Sequence, residues 1–175
     1  LGLAFQRLSI LDLSFKAKQP MISKNMDWVI VFNGEIYNYL ELKKTLSDKG
    51  ILWNTSSDTE VVLESIANYG FVKAISMIDG MFAMAAYNFK DKVLWLARDK
   101  FGEKPIYYGK DKKNNFFFSS DLKALMASKY FHKKINYNNS SEYLRYGYVP
   151  DPLSILENTN KLNPGKILKY DFHKK

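Results

Sequence analysis

Trp28-Val29-Ile30-Val31-Phe32-Asn33-Gly34-Glu35-Ile36-Tyr37-Asn38 is the stretch on which the fold turns. Its five leading apolar residues predict a compact strand, and Asn33-Gly34 predicts the tight turn that ends it. Asn38 is a helix starter. Beyond it Tyr39, Leu42 and Leu46 share one helical face, and Gly50 stops the run. Strand, turn and helix follow one another with no linker between them.

Working outward, residues 51–55 read as a short strand. Ser57 stands three residues before Glu60, a capping-box spacing ahead of a helix whose inner face carries Val62, Ile66 and Tyr69 and which Gly70 ends. A second short helix is predicted over 72–78. Gly80 opens an apolar stretch at 81–89, joined by Lys90-Asp91-Lys92 to 93–97, which predicts a buried hairpin. A further hairpin is predicted from 105–108 and 115–119, helices over 121–128 and 140–145, and a last strand at 167–170. Helices cluster on some segments and hairpins on others, so the pattern argues α+β with antiparallel sheet and against a doubly wound βαβ fold.

The composition agrees with a folded domain. The 175 residues are 46% hydrophobic and 25% charged, with 12 Phe, 12 Tyr and 3 Trp to fill a core. The longest apolar runs fall far short of the ~20 residues of a membrane-spanning helix, and no basic-then-apolar leader precedes the first motif. The expectation is a cytoplasmic protein without membrane association. Cysteine is absent, which excludes a disulfide, a thiolate metal site and a cysteine nucleophile within these residues. The net charge is +8; residues 110–175 carry 13 basic and 6 acidic side chains, whereas 1–109 carry 13 and 12. Only Arg7, Arg98 and Arg145 are arginines, and the lysines form short pairs between structural segments, so a solvated surface is the expectation and nucleic acid is not an expected partner. His132 and His173 have no acidic cluster beside them, and no metal site is expected.

There is no glycine-rich phosphate loop, no dinucleotide fingerprint and no Gly-x-Ser-x-Gly elbow. What remains is Asn33-Gly34, where a glycine N–H and an Asn amide are two uncharged donors of the kind that stabilise an oxyanion. A plain Asn-Gly turn is the competing reading. Arg7, beside the strand-like Leu8-Ser9-Ile10, can hold a carboxylate. Asp58, at a predicted helix start, reads either as a capping acid or as a ligand. An amino acid needs one group for its carboxylate and one or two acids for its ammonium, and Arg7, Glu35 and Asp58 supply that set if the fold brings them together.

At these residues a family resemblance emerges. Gln6-Arg7-Leu8-Ser9-Ile10-Leu11-Asp12, Gln19-Pro20-Met21, Asn33-Gly34-Glu35-Ile36-Tyr37-Asn38 and Ser57-Asp58-Thr59-Glu60 stand in the order and spacing of the glutaminase domain of glutamine-hydrolysing asparagine synthetases, class II glutamine amidotransferases. The similarity continues through Asp79-Gly80-Met81-Phe82, Arg98-Asp99-Lys100-Phe101-Gly102-Glu103-Lys104-Pro105, Ser120-Asp121-Leu122-Lys123, Gly147-Tyr148-Val149-Pro150 and Leu162-Asn163-Pro164-Gly165. Glu35 favours the asparagine-synthetase branch over the glucosamine-phosphate synthases.

The resemblance implies an N-terminal-nucleophile hydrolase fold, a four-layer α-β-β-α sandwich of two antiparallel sheets. It implies that Arg7 binds glutamine's α-carboxylate with backbone groups of Leu8, Ser9, Ile10 and Leu11 lining that side. Glu35 and Asp58 are implied to hold the ammonium, and Asn33 and Gly34 to form the oxyanion hole. Arg98 and Asp99 read as scaffold.

The family's nucleophilic cysteine and its ATP-using synthetase half have no counterpart in these residues. The chain therefore reads as a partial glutaminase domain, 1–175, from the middle of a longer enzyme, unable to hydrolyse glutamine by itself. L-Glutamine and a C-terminal synthetase domain of the same chain are the implied partners, with a homodimer allowed. No cofactor is implied for glutamine hydrolysis, and ATP and Mg belong only to the synthetase half. A non-catalytic binding or regulatory module, and an amidotransferase acting on a sugar or other metabolite in surface polysaccharide synthesis, are the alternatives.

Overall fold

In the computed structural model, which describes residues 1–6, 12 and 14–173, the apolar run at Trp28 is longer than its sequence suggests. It forms β2 (Trp28–Ile36), and Asn33-Gly34 lies inside the strand instead of ending it as a turn. The reason is pairing. β3 (Gly80–Asn88) runs antiparallel to β2 along its whole length, from Trp28 opposite Asn88 to Ile36 opposite Gly80. Two glycines permit this close approach. A Cβ at Gly34 would overlap the Met81 carbonyl oxygen and come within 2.7 Å of Phe82 Cα, and one at Gly80 would overlap the Glu35 carbonyl oxygen. An Asn-Gly pair that looks like a turn locally is here the narrow point of a ladder.

The described residues divide into two compact units, Leu1–Ala97 with Ile167–Lys175, and Arg98–Lys166. In the first, β1 (Met21–Ile22), β2, β3, β4 (Val93–Arg98) and β8 (Ile167–Asp171) form a sheet in the order β1-β2-β3-β4-β8. Helices α1 (Tyr39–Ser47), α2 (Asp58–Tyr69) and α3 (Phe71–Met77) supply the other half of its core. Trp28, Ile30, Phe32 and Ile36 alternate along β2 and join Phe82, Met84 and Ala86 of β3 with Leu42, Val62, Ile66 and Ala74 in one buried cluster. Each of the larger apolar side chains among them contributes roughly 1.5–3 kcal/mol when fully buried. Phe71 is stacked between Trp28 and Trp95, with ring centroids 6.4 and 5.2 Å away, which fixes the start of α3.

The first two helices begin by different devices. Ser57 caps α2 by accepting from the Glu60 N–H at 3.3 Å, the expected half of a capping box. The Glu60 carboxylate passes the cap and instead accepts from the N–H groups of Asn54 and Thr55 at 2.7–3.2 Å and from the Thr55 hydroxyl. That capture also corrects the expected strand at 51–55: its backbone donors are turned toward Glu60, and no strand forms. At α1, Asn38 occupies the cap position but spends its side chain elsewhere. Its amide donates to the Met77 carbonyl at 2.9 Å and accepts from the Asp79 N–H at 3.0 Å.

The second unit holds a smaller sheet, β6 (Phe116–Ser119), β5 (Tyr107–Lys110) and β7 (Thr159–Lys161) in that order. With it come α4 (Leu122–Ala127) and α5 (Tyr137–Tyr146), the latter longer than predicted because Asn136 caps it three residues beyond Lys133. Its organising residue is Arg98. The guanidinium donates to the carbonyls of Lys104 (3.0 Å), Gly102 (2.8 Å) and Leu162 (2.6 Å) and to the Asp151 carboxylate (2.8 Å). Asp99, almost fully buried, accepts from the N–H groups of Phe101, Glu103 and Lys104, each at 3.0 Å. These contacts are those of a scaffold.

Candidate functional site

The backbone of β2 has two edges, and alternate residues address them. Odd-numbered residues here pair with β3, while the N–H and C=O of Ile30 face β1, opposite Met21. Continuing that parity, Phe32 exchanges two hydrogen bonds with the Gln19 side chain. Its N–H donates to Gln19 Oε1 at 2.6 Å, and its carbonyl accepts from Gln19 Nε2 at 3.1 Å. The Ile36 N–H donates to Asp58 Oδ2 at 3.1 Å. Gly34, of the same parity, therefore presents its N–H on this edge between Gln19 and Asp58.

The side chains divide by face. Phe32 and Ile36 enter the helix-covered core, so Asn33 and Glu35 lie on the opposite face of the sheet; Asn33 is exposed and Glu35 half-buried. Asp58, the first residue of α2, is 6% exposed and ends against the strand. Burial raises its carboxyl pKa, the N–H groups of Ile36 and Thr59 oppose that, and the charge of nearby Glu35 raises it further. Two acids that repel each other beside a strand edge are a place where a ligand ammonium is favourable, because it relieves both the repulsion and the desolvation. The Ile36 N–H thus brings the Asp58 carboxylate to the strand edge that carries the Gly34 N–H, within electrostatic reach of Glu35.

Arg7, Leu8, Ser9, Ile10 and Leu11 lie outside the described residues. Asp12, which follows them, is described. The Ser14 hydroxyl, foremost, together with the Ser56 N–H (2.8 Å), the Ser14 N–H (2.7 Å) and the Ser56 hydroxyl (3.1 Å), donates to its carboxylate and holds its pKa far below the usual carboxylate range. The chain is therefore tied, one residue after Leu11, to the loop that leads into Asp58. Sequence reasoning gave Asp12, Gln19 and Thr59 no role. The signal for Gln19 existed only as register, since position 19 is where a strand partner for Phe32 is due if Met21 pairs with Ile30.

A cavity of about 310 Å³ lies elsewhere in this unit, lined by Pro20, Met21, Glu60, Glu64 and the exposed Lys16 and Lys24. It contains none of the sequence-predicted residues. Glu60 is consumed by Asn54 and Thr55, and Glu64 accepts from the Lys24 N–H at 2.9 Å, so its acids tie the loops to α2. Among the described residues no cluster of three or more His, Cys, Asp or Glu side chains is placed to hold a metal ion. Among the same residues no helix is long and apolar enough to cross a membrane.

The family described as "Glutamine amidotransferase domain" matches residues 1–175, both units included. The chain belongs to this family. Asparagine synthetase (glutamine-hydrolyzing) 1 of Bacillus subtilis is 39% identical over 164 residues, covering 94% of this chain and 25% of that protein. Asparagine synthetase (glutamine-hydrolyzing) 2 of rice, Oryza sativa subsp. japonica, is 40% identical over 123 residues, covering 70% of the chain and 20% of its own length. The amidotransferase domain thus spans a quarter or less of these two relatives. Among solved structures, the glutamine phosphoribosylpyrophosphate amidotransferase of B. subtilis superposes with a TM-score of 0.65 at 20% identity, over 91% of this chain and 31% of that one. The likeness shows the fold, an α+β arrangement of two antiparallel sheets with helices, of the N-terminal-nucleophile hydrolase type.

Proposed function

We propose that the chain is the glutamine-binding part of an asparagine-synthetase-like amidotransferase, whose complete site hydrolyses glutamine to glutamate and supplies the ammonia to an ATP-dependent synthetase domain. The observation that carries this is the juxtaposition at one end of β2: Glu35 and Asp58 for an ammonium, Gly34 N–H beside them for a carbonyl oxygen. Arg7 holds the α-carboxylate, with backbone groups of Leu8 to Leu11 on the same side. The tie between Asp12 and Ser56 supports this, because Arg7 stands five residues from Asp12, a reach of at most ~18 Å. The names of the relatives support glutamine as the ligand.

In the complete enzyme a cysteine thiolate from outside these residues attacks glutamine's δ-carbonyl carbon. The C–S bond forms as the carbonyl pair moves to oxygen, and that oxyanion accepts from the Gly34 N–H and the Asn33 amide. Collapse expels the amide nitrogen as ammonia once it takes a proton, leaving a γ-glutamyl thioester that water cleaves to glutamate and the free thiol. Losing one such donor typically costs ~10²–10³ in rate. The chemistry needs no metal; ATP and Mg serve the synthetase domain. That domain of the same protein is the partner, and the whole is a cytoplasmic enzyme binding neither membrane nor nucleic acid, with room for a homodimer.

A non-catalytic module of the same fold is the second reading. Calorimetric titration tests the binding common to both. L-Glutamine should bind, with at least a tenfold loss for Arg7→Ala and for Asp58→Ala and no binding of D-glutamine; equal binding by all variants would refute the site. Ammonia release by the longer protein then separates enzyme from module, and the 175 residues alone should release none.

A further inference from the structure

We infer that Gln19 is a positioning residue for the oxyanion donor of Gly34, an inference that rests on the glutamine-binding reading above. The pairing of β1 with β2 matches Met21 with Ile30 and Ile22 with Val29. Extended by one step, that register puts residue 19 opposite Phe32. The backbone strand stops at Met21, and the Gln19 side chain completes the step. A carboxamide has the same donor and acceptor as a peptide group, and here it makes both bonds of a hydrogen-bonded pair to Phe32. Its Nε2 also reaches the Thr59 hydroxyl at 3.4 Å, on the residue that follows Asp58 in α2.

The consequence is a bracket. Phe32 is fixed from one side by Gln19, Ile36 from the other by Asp58, and Gly34 lies midway along the same strand edge. Because Gln19 bonds both β2 and α2, it sets the spacing between the Gly34 N–H and the Asp58 carboxylate, the two ends of the site that grip a glutamine molecule. The fold does not depend on it, since β2 keeps its full ladder with β3. Gln19 touches no substrate; it acts through Phe32 and Thr59.

The test compares two ligands that share the α-amino and α-carboxyl groups, L-glutamine and L-norvaline, the second lacking the carboxamide. ¹H–¹⁵N NMR titrations of the chain read both affinities, with the Gly34 amide shift reporting the carbonyl contact. In Gln19→Leu, glutamine affinity should fall about tenfold with loss of the Gly34 shift, while norvaline affinity stays within about twofold. Gln19→Glu keeps the acceptor for Phe32 N–H and loses the donor; it should give the same selective loss in a chain that retains the native spectrum. A parallel fall for both ligands, or an unchanged Gly34 shift, would overturn the positioning role alone. No glutamine binding by the unaltered chain would overturn the site reading, and this inference with it.

Discussion

The two units of this chain are held together by different physics. In the first, the sheet and helices α1, α2 and α3 share one apolar cluster, and buried polar groups such as Asp58, Glu60 and Glu64 serve a strand edge or a loop. In the second, only Ile106, Leu125, Val149, Leu156 and Leu162 are buried apolar residues among those described. Its framework is a guanidinium and a carboxylate, adjacent in sequence, that gather backbone groups from residues 101–104 and from Leu162. A core tolerates the loss of one methyl group. A hub that satisfies many backbone groups at once does not tolerate the loss of its centre. The proposed glutamine site lies at the edge of the apolar unit, where a rigid strand can present N–H groups without rearrangement.

The difference is sharpest at Arg98. Arg98→Leu should destabilise the second unit by ~3–5 kcal/mol, because three carbonyls lose their donor and Asp151 loses the nearer of its two cationic partners. Hydrogen exchange should show residues 98–166 opening while β2 and β3 stay protected; equal loss in both units would break the distinction. Next in size is Gly34→Ala, which forces a Cβ against the Met81 carbonyl and should cost ~2–3 kcal/mol in chemical denaturation, centred on β2 and β3.

Asp58→Asn should move stability and binding in opposite directions. Burial and Glu35 raise the Asp58 pKa, so the folded chain holds this proton more tightly than the unfolded one. Stability from this group therefore falls as pH rises from the ordinary aspartate value through the folded pKa, and the penalty persists above it. The variant should gain on the parent in urea midpoint between pH 3 and 7 while glutamine affinity drops at least tenfold. A variant that is less stable at neutral pH would show that the carboxylate is a net structural asset. The smallest effect belongs to the Lys90–Asp27 ion pair, whose lysine is 73% exposed: Lys90→Ala should change stability by less than ~0.5 kcal/mol, in contrast to Arg98.

Much of this was legible in the residues themselves, for a local reason. Ser57 announced α2, the spacing of Leu42 and Leu46 gave α1, and Lys90-Asp91-Lys92 marked the turn between β3 and β4, since caps, faces and turns are encoded within a few residues. What escaped was set by partners distant in sequence. Asn33-Gly34 has the chemistry of a turn, and pairing with Phe82 and Ala83, nearly 50 residues on, makes it a strand. Residues 51–55 had strand composition, but Glu60 took their donors. Of the site, Asn33, Gly34 and Glu35 were visible as one motif, and Asp58 as an acid at a helix start. Their convergence needed the Ile36 N–H to reach across to α2, and Gln19 entered through a side-chain amide standing in for backbone, which no local pattern encodes.

The central claim is that an amino acid binds at the end of β2, and a crystal structure of the chain grown with L-glutamine tests it most directly. The account predicts the α-ammonium between Glu35 and Asp58, the side-chain carbonyl oxygen within ~3 Å of the Gly34 nitrogen, and the α-carboxylate on Arg7. Glutamine seated instead in the cavity beside Glu60 and Glu64, or turned so that its carboxylate faces Asp58, would contradict it.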